Sequence, residues 1–349
     1  MTKTASLKLD NISKTYGAIV ALQPMQLQVE PGELIALLGP SGCGKTTTLR
    51  IVAGFEPPDR GRVLIGDRDV TALSPNMRDI GLMFQNYALF PHMSVAENVG
   101  FGLKMRKVAK AEAQSRVSAA LDMVRMGAFA ERSIGQLSGG QQQRIALARS
   151  LVVNPSVLLL DEPLGALDRK LREEMQFELR QLQRRFGITS ILVTHDQEEA
   201  LTMSDRVAVM NAGAIMQIGE PKAIYDRPSS VFVSEFLGTS NLFAGEIRGG
   251  TFRSSESAKL AVSCDEPDGP AILVFRPERL LIKPQGKGKL EARVRDVVFR
   301  GSQYTYELDA GQRDRPIIVY SQHAHPIDAD GVVGIDWTQA PVVLRETLP

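Results

Sequence analysis

"LIALLGPSGCGKTTTLRIVAG" occupies residues 34–54, and its three parts decide the fold. "LIALL" is a continuous apolar run, as expected of a strand buried on both faces. "TTTLRIVAG" reads as a helix. Between them Gly39, Pro40, Ser41, Gly42, Cys43, Gly44, Lys45 and Thr46 complete the spacing of a phosphate-binding loop, with Thr47 leading into the helix. The glycines let backbone N–H groups turn inward on a β-phosphate at a helix N-terminus, Lys45 reaches the β- and γ-phosphates, and the Thr46 hydroxyl ligates Mg²⁺. A glycine-rich turn without ligand is the bland alternative, and the strand before it and the helix after it weigh against that alternative. Strand, loop and helix in this order predict an α/β core whose ligand lies beyond the C-terminal ends of the strands.

Outward from that stretch, 349 residues with 43% apolar and 23% charged composition suit a globular protein of two domains, or one large domain with an appendage. Formal net charge is +1, which gives no reason to expect a polyanion such as nucleic acid. The two cysteines, Cys43 and Cys264, offer neither metal-ligand spacing nor a disulfide framework and fit a reducing compartment. The start "MTKTASLKLD" lacks the apolar core of a signal peptide, and no apolar run reaches the roughly 18 residues a span requires. Work at a membrane would need another chain to bring the protein there.

From Leu7 to about Leu237, short apolar strand candidates alternate with longer amphipathic helix candidates, the pattern of a largely parallel sheet. The clearest helix is "RKLREEMQFELRQLQRRFG", with Leu171, Met175, Leu179, Leu182 and Phe186 at helical spacing and Gly187 as its stop. A second, over residues 109–126, places Val117, Leu121 and Val124 on one face, and residues 88–150 read as a helical insert. Beyond about 241 the periodicity changes: "AILVF", "ARVRDVVF", "YTYEL" and "PIIVY" alternate with Gly, Pro and Asp, suggesting a small β-barrel. The expected domains are 1–237 and 243–349.

"SVLLLDEP" supplies acids at the end of another buried strand: Asp161 to hold the Mg²⁺ shell, and Glu162 to orient and deprotonate an attacking water. His195 ends the strand "SILVTHD" and should share that sheet edge, although a lone His is often only structural. Gln85 in "FQNYALFPH" could ligate Mg²⁺, contact water or be an ordinary loop residue. Tyr16 could stack on adenine or merely pack beside a strand. "LSGGQ", residues 137–141, is a second glycine-paired loop. Taken alone, it reads as Ser138 capping a helix that begins near "GQQQRIALAR".

Taken in order, Tyr16, "GPSGCGKT", Gln85, "LSGGQQQR", "LLLDEP", "GALD" and "THD" resemble the ATP-binding subunit of an ABC transporter over nearly all of the first 237 residues. The resemblance implies a P-loop NTPase core and a head-to-tail homodimer. In it, Ser138, Gly139, Gly140 and Gln141 of one copy close over ATP held by the phosphate loop of the other. By position, Tyr16 resembles the adenine stacker, Gln85 the Mg²⁺ and water sensor, Glu162 the general base and His195 the γ-phosphate contact, with Asp168 lining the dimer interface. Gly165 stands where the family often has Ser. The stretch "NYALFPHM" after Gln85, ending at Met93, matches the place where a membrane-spanning permease subunit docks, although its aromatic side chains could equally be insert core.

The tail, through "VFRPE" at 274–278 and "VVFRGSQYTYEL" at 297–308, resembles the β-barrel extension of one importer branch, related to oligonucleotide-binding barrels. From residue 243 onward 14 Lys plus Arg face 15 Asp plus Glu, a surface poorly suited to nucleic acid, so regulation or dimer contact is the better reading. Within that branch, "GALDRKLREEMQFELRQLQ" and "THDQEEALTMSDRVAVMNAGAIMQIGEPKAIYDRP" look most like polyamine-uptake ATPases; iron(III), opine-like and sugar importers share much of the pattern. The resemblance therefore implies a peripheral ATPase on the cytoplasmic face of the cell membrane, serving permease subunits and, through them, a solute-binding protein. The rival class, a soluble ABC ATPase acting on DNA or ribosomes, would be expected to carry long coiled coils, a second ATPase domain or basic arms, which this sequence does not show.

Overall fold

A computed structural model describes residues 4–165, 167–257, 259–311 and 315–345. The chain divides into two compact units, Met1–Lys222 and Ala223–Pro349.

The first unit opens with β1 (Leu7–Tyr16) and β2 (Ile19–Val29), whose alternating burial marks them as strands with one wet face. They pair antiparallel, and with β4 (Arg60–Ile65) and β5 (Arg68–Asp69) they form a four-stranded sheet in the order β2-β1-β4-β5. The sequence reading of a largely parallel sheet did not foresee this antiparallel layer. Between β2 and β4 lie β3 (Leu34–Leu38), buried throughout, and α1 (Lys45–Ala53).

The main sheet adds β6 (Ile80–Met83), β7 (Val157–Asp161), β8 (Thr189–Thr194), β9 (Arg206–Asn211) and β10 (Ala214–Gly219), in the order β10-β9-β3-β8-β7-β6. All neighbours run parallel except β10, which returns antiparallel along β9. One apolar cluster joins both sheets to α1, from Leu9 and Leu27 through Leu49 and Val52 to Ile35, Leu159 and Ile191. Between β6 and β7 the chain inserts α2 (Val95–Met105), α3 (Lys110–Met123) and α4 (Gly139–Leu151). After β7 come α5 (Arg169–Phe186), capped by Asp168 and stopped by Gly187 at φ 58°, and, after β8, α6 (Gln197–Met203).

The second unit takes in most of α7 (Pro221–Asp226) and all of α8 (Val231–Phe236), and then turns to strands. One five-stranded antiparallel sheet holds β11 (Asn241–Arg248), β12 (Thr251–Ser254), β13 (Ala261–Ser263), β14 (Gly269–Phe275) and β20 (Val342–Leu344). The other holds β15 (Leu280–Lys283), β16 (Leu290–Phe299), β17 (Tyr304–Asp309), β18 (Ile317–Ser321) and β19 (Val332–Trp337). Phe243, Phe252 and Phe275 from the first sheet and Tyr306, Leu308 and Ile335 from the second share one core.

Within the second unit a buried cation, Arg276, holds the segment that precedes the strands. Arg276 donates to the carbonyls of Tyr225 (3.1 Å) and Ser234 (2.9 Å) and to Ser240 Oγ (2.7 Å), and its guanidinium lies 4.0 Å from the Tyr225 ring centroid. These contacts tie residues 225–240 to the strand that ends before Arg276.

Candidate functional site

Strand register creates the site. Leu38 pairs with Thr194, Val193 with Asp161, and Leu160 with Met83, so four parallel strands finish in one row. Gly39, His195, Glu162 and Gln85 follow directly, or one residue later, and emerge on the same edge.

The phosphate loop is shaped by close approach. A Cβ on Gly39 would lie 2.3 Å from the Met210 carbonyl oxygen, and one on Gly44 2.7 Å from that of Ala21 and 2.6 Å from Leu22 Cδ2. Gly44 also takes φ 104° as it enters α1, a conformation that side chains resist. Lys45 is buried, and its ammonium donates to the carbonyls of Gly39 (2.6 Å) and Pro40 (3.0 Å), so its charge sits over the loop. Ser41, Gly42 and Thr46 are exposed, Pro40 and Thr47 half-buried, and Cys43 buried with its Sγ 3.7 Å from the Lys45 ammonium.

Glu162 has a left-handed backbone, φ 45°, and its N–H donates to the Val193 carbonyl at 2.9 Å. Non-glycine residues adopt that conformation at a cost of about 1 kcal/mol or more, and it turns the carboxylate out from the strand end. One carboxylate oxygen accepts from the Gln85 amide at 2.8 Å and the other lies 3.2 Å from His195 Nδ1. Three residues read separately from the sequence thus meet at one carboxylate. Beside it, burial first and the Glu162 charge second push the Asp161 carboxyl above its ordinary range, while Arg50 and Lys45 pull the other way. A half-buried acid beside a second acid is a place where added positive charge is favoured.

Tyr16 ends β1 with 43% of its surface exposed, opposite Ile19. The same hairpin passes the loop through Ala21 and Leu22 at Gly44, which puts Tyr16 on the hairpin that flanks the phosphate loop.

The second glycine-paired loop forms a separate group. Ser138 caps the 13-residue α4: its Oγ accepts from Gln141 N–H, and the Gln141 side chain accepts from Ser138 N–H at 3.0 Å. A Cβ on Gly140 would meet Leu171 Cδ2 at 2.8 Å, and one on Gly139 would lie 3.7 Å from Leu167 Cδ2, so these glycines let α4 pack against the start of α5. Asp168, exposed, caps α5 through Leu171 N–H at 3.0 Å. The side chains nearest to Gly139 and Gly140 are Leu167, just before α5, and Leu171 in its first turn, not residues of the phosphate loop of the same chain.

In the stretch 85–93, Tyr87 is buried, Phe90 lies 4.6 Å from Phe101, and Asn98 bonds both the N–H and the carbonyl of Phe90. Tyr87 is therefore core and Phe90 half-buried against Phe101, whereas Asn86, Ala88, Pro91 and His92 are exposed. Arg149, which the sequence reading passed over, fixes the stretch by donating to the carbonyls of Tyr87 and Ala88 at 2.6 Å each. Its position in the last turn of α4 resembles an ordinary dipole-favoured arginine and carries no sign of that reach.

Residues 22–165 match the ABC transporter family model, and residues 273–344 match that of the TOBE domain. Over 329 residues the chain is 48% identical to the spermidine/putrescine import ATP-binding protein PotA of Frankia alni, covering 87% of this chain and 71% of that one. The chain belongs to the ABC transporter family. This ABC ATP-binding subunit is also 46% identical over 334 residues to PotA of Thermobifida fusca (91% and 87% covered). It is 45% identical over 315 residues to the Fe(3+) ions import ATP-binding protein FbpC 1 of Haemophilus influenzae (89% and 96% covered). Among solved structures it resembles an ATP-binding cassette captured as a dimer in a post-hydrolysis state with ADP and Pi (TM-score 0.56, 34% identity, 62% of this chain and 98% of that one). It also resembles cbiO1 from Clostridium perfringens, part of the ABC transporter complex cbiONQ (TM-score 0.59, 32% identity, 63% and 90%). Among the described residues, no helix of the ABC subunit is long and apolar enough to cross a membrane.

Proposed function

We propose that this chain is the ATP-hydrolysing motor of an importer that takes up polyamines. The observation that carries the catalytic part is Glu162, held between the Gln85 amide and His195 on the strand edge that also bears the phosphate loop. In this reading the inward N–H groups of 39–47 and Lys45 bind the β- and γ-phosphates, and Tyr16 stacks on adenine. Glu162 accepts a proton from water as that water's oxygen bonds the γ-phosphorus, and the bond from phosphorus to the ADP oxygen breaks. Gln85 fixes the carboxylate from one side. His195, tied to its other oxygen, presents the rest of its ring to the γ-phosphate.

Thr46, Gln85 and Asp161 would hold Mg²⁺. The donor set is oxygen-rich, as that ion prefers, and a bound cation would offset the burial and the Glu162 charge that together raise the Asp161 carboxyl. When bound, Mg²⁺ neutralises charge on the phosphate oxygens.

Ser138, Gly139, Gly140 and Gln141 serve ATP on a second copy of the chain, with Asp168 at the same interface. The exposure of Ser138 and Gly139 at the start of a 13-residue helix, with Gly140 packed on Leu171 of α5, supports that role. The exposed residues of 85–93 receive the permease subunit, which places the motor at the cytoplasmic face of the membrane, and the strand-rich unit after Lys222 regulates. Polyamine cargo follows the likeness to the PotA proteins. Reconstituted with permease and binding protein, the motor should hydrolyse ATP faster when spermidine or putrescine is supplied. Stimulation by iron(III) without any by polyamines would assign it to the cargo named for FbpC 1.

A further inference from the structure

We infer that Lys14 is a positioning residue for the nucleotide base: its ammonium stands against the Tyr16 ring and holds that ring as the platform on which adenine stacks. The inference rests on the proposed role of Tyr16 and adds a residue to it.

Lys14 Nζ lies 5.3 Å from the Tyr16 ring centroid, within the range at which a cation is attracted to an aromatic face. A lysine near a hairpin tip ordinarily extends into water, yet Lys14 is 7% exposed. Its ammonium bonds Glu56 Oε1 at 2.7 Å, the Pro57 carbonyl at 2.9 Å and Asp59 Oδ1 at 3.2 Å. The hydrogen bond to Glu56 is the main reason its pKa lies above the ordinary lysine value, so the group stays charged.

These partners belong to the segment that leaves α1, the helix of the phosphate loop. The N–H groups of Phe55 and Glu56 still bond the Arg50 carbonyl of that helix. Asp59 also accepts the Thr15 N–H at 2.7 Å, so the residue between Lys14 and Tyr16 is tied to the same point. Across the hairpin Lys14 pairs with Leu22, the side chain that packs at Gly44 of the loop. Lys14 therefore links the ring to both ends of the phosphate-binding element.

The test compares ADP, which carries the base, with pyrophosphate, which does not, by equilibrium binding to the full chain. Tyr16→Ala should weaken ADP and spare pyrophosphate. Lys14→Met should weaken ADP about three- to tenfold, as expected for loss of a cation–aromatic contact and its ordering, with pyrophosphate within about twofold. Lys14→Arg should restore most of the loss. In the Tyr16→Ala background, Lys14→Met should cause no further weakening, because the two residues act as one unit.

Equal weakening of ADP and pyrophosphate by Lys14→Met would reduce Lys14 to support of α1 and overturn the proposal. Unchanged ADP binding, or additive effects in the double variant, would do the same. Tyr16→Ala with unchanged ADP binding would instead remove the stacking reading, and this proposal with it. Should Lys14→Met fail to fold, Glu56→Gln with Asp59→Asn loosens the ammonium without deleting it and carries the same expectations.

Discussion

Replacing Glu162 by Gln isolates proton acceptance from everything else the carboxylate does. The amide keeps the shape and retains one carbonyl oxygen, which can still accept from Gln85, now 2.8 Å away. Its NH₂ faces His195 Nδ1, 3.2 Å from the present oxygen, and can donate to an unprotonated ring nitrogen. Folded stability should therefore change by no more than about 0.5 kcal/mol, since the site is partly exposed and no cavity forms. ATP affinity should also hold, because Lys45 and the loop amides are untouched. What disappears is the acceptor for the water's proton, a contribution of roughly 10²–10⁴ in rate, or about 3–5 kcal/mol of barrier. The assay is steady-state hydrolysis alongside filter trapping of ATP and thermal melting of the same preparation. Turnover should fall at least about a hundredfold while trapped ATP rises and the melting temperature stays put. Hydrolysis within about threefold of wild type would refute the base assignment. So would a fall in rate matched by loss of ATP binding, because the carboxylate would then act in binding.

Gln85→Ala removes one hydrogen bond from Glu162 and one proposed Mg²⁺ ligand, so turnover should fall at least roughly tenfold, the worth of one such bond, while ATP binding measured without Mg²⁺ is kept; unchanged turnover would remove Gln85 from the site. Lys45→Ala and Ser138→Arg should each abolish ATP occlusion as homodimers, whereas random mixing makes about half the dimers mixed and should restore occlusion at about one quarter of all sites, through restored charge-assisted contacts. Exchange-verified mixtures with no trapping above either parent would reject sites shared between copies. Arg276→Met should leave the carbonyls of Tyr225 and Ser234 without their donor and destabilise the strand-rich unit by on the order of 3 kcal/mol, read as a lower melting transition. Burial, then the hydrogen bond to Glu278, pushes the Tyr225 phenol up to about 12 from an ordinary 10. The folded state thus binds a proton that the unfolded chain has already lost within that window, so this group's contribution to stability should fall as pH rises from 10 towards 12. Absorbance titration should show a phenolate forming near that upper value, and Tyr225→Phe should remove it.

The phosphate loop, the strand that ends in Asp161 and Glu162, the helix after Asp168 and the cap at Ser138 were all legible in the sequence, because each is local chemistry. Glycines at tight approaches, an apolar run, a 3.6-residue period and a serine three residues before a glutamine act over a few neighbours. The pairing of β1 with β2 was less legible, since antiparallel alternation over ten residues competes with an irregular register. The tertiary structure alone decided what touches what. Parallel register brings Met83, Asp161 and Thr194 into one row, and only that row lets residues 77 and 33 positions apart from Glu162 share its carboxylate. Arg149 reaching the carbonyls of Tyr87 and Ala88, Arg276 drawing the segment after Lys222 into the strand-rich unit, and Lys14 standing against Tyr16 belong to the same class. A long cationic side chain reads as a surface residue in sequence, because its pattern records only its spacing. Whether its charge ends in water or against buried carbonyls, carboxylates or a ring is set by chain segments that meet only after folding.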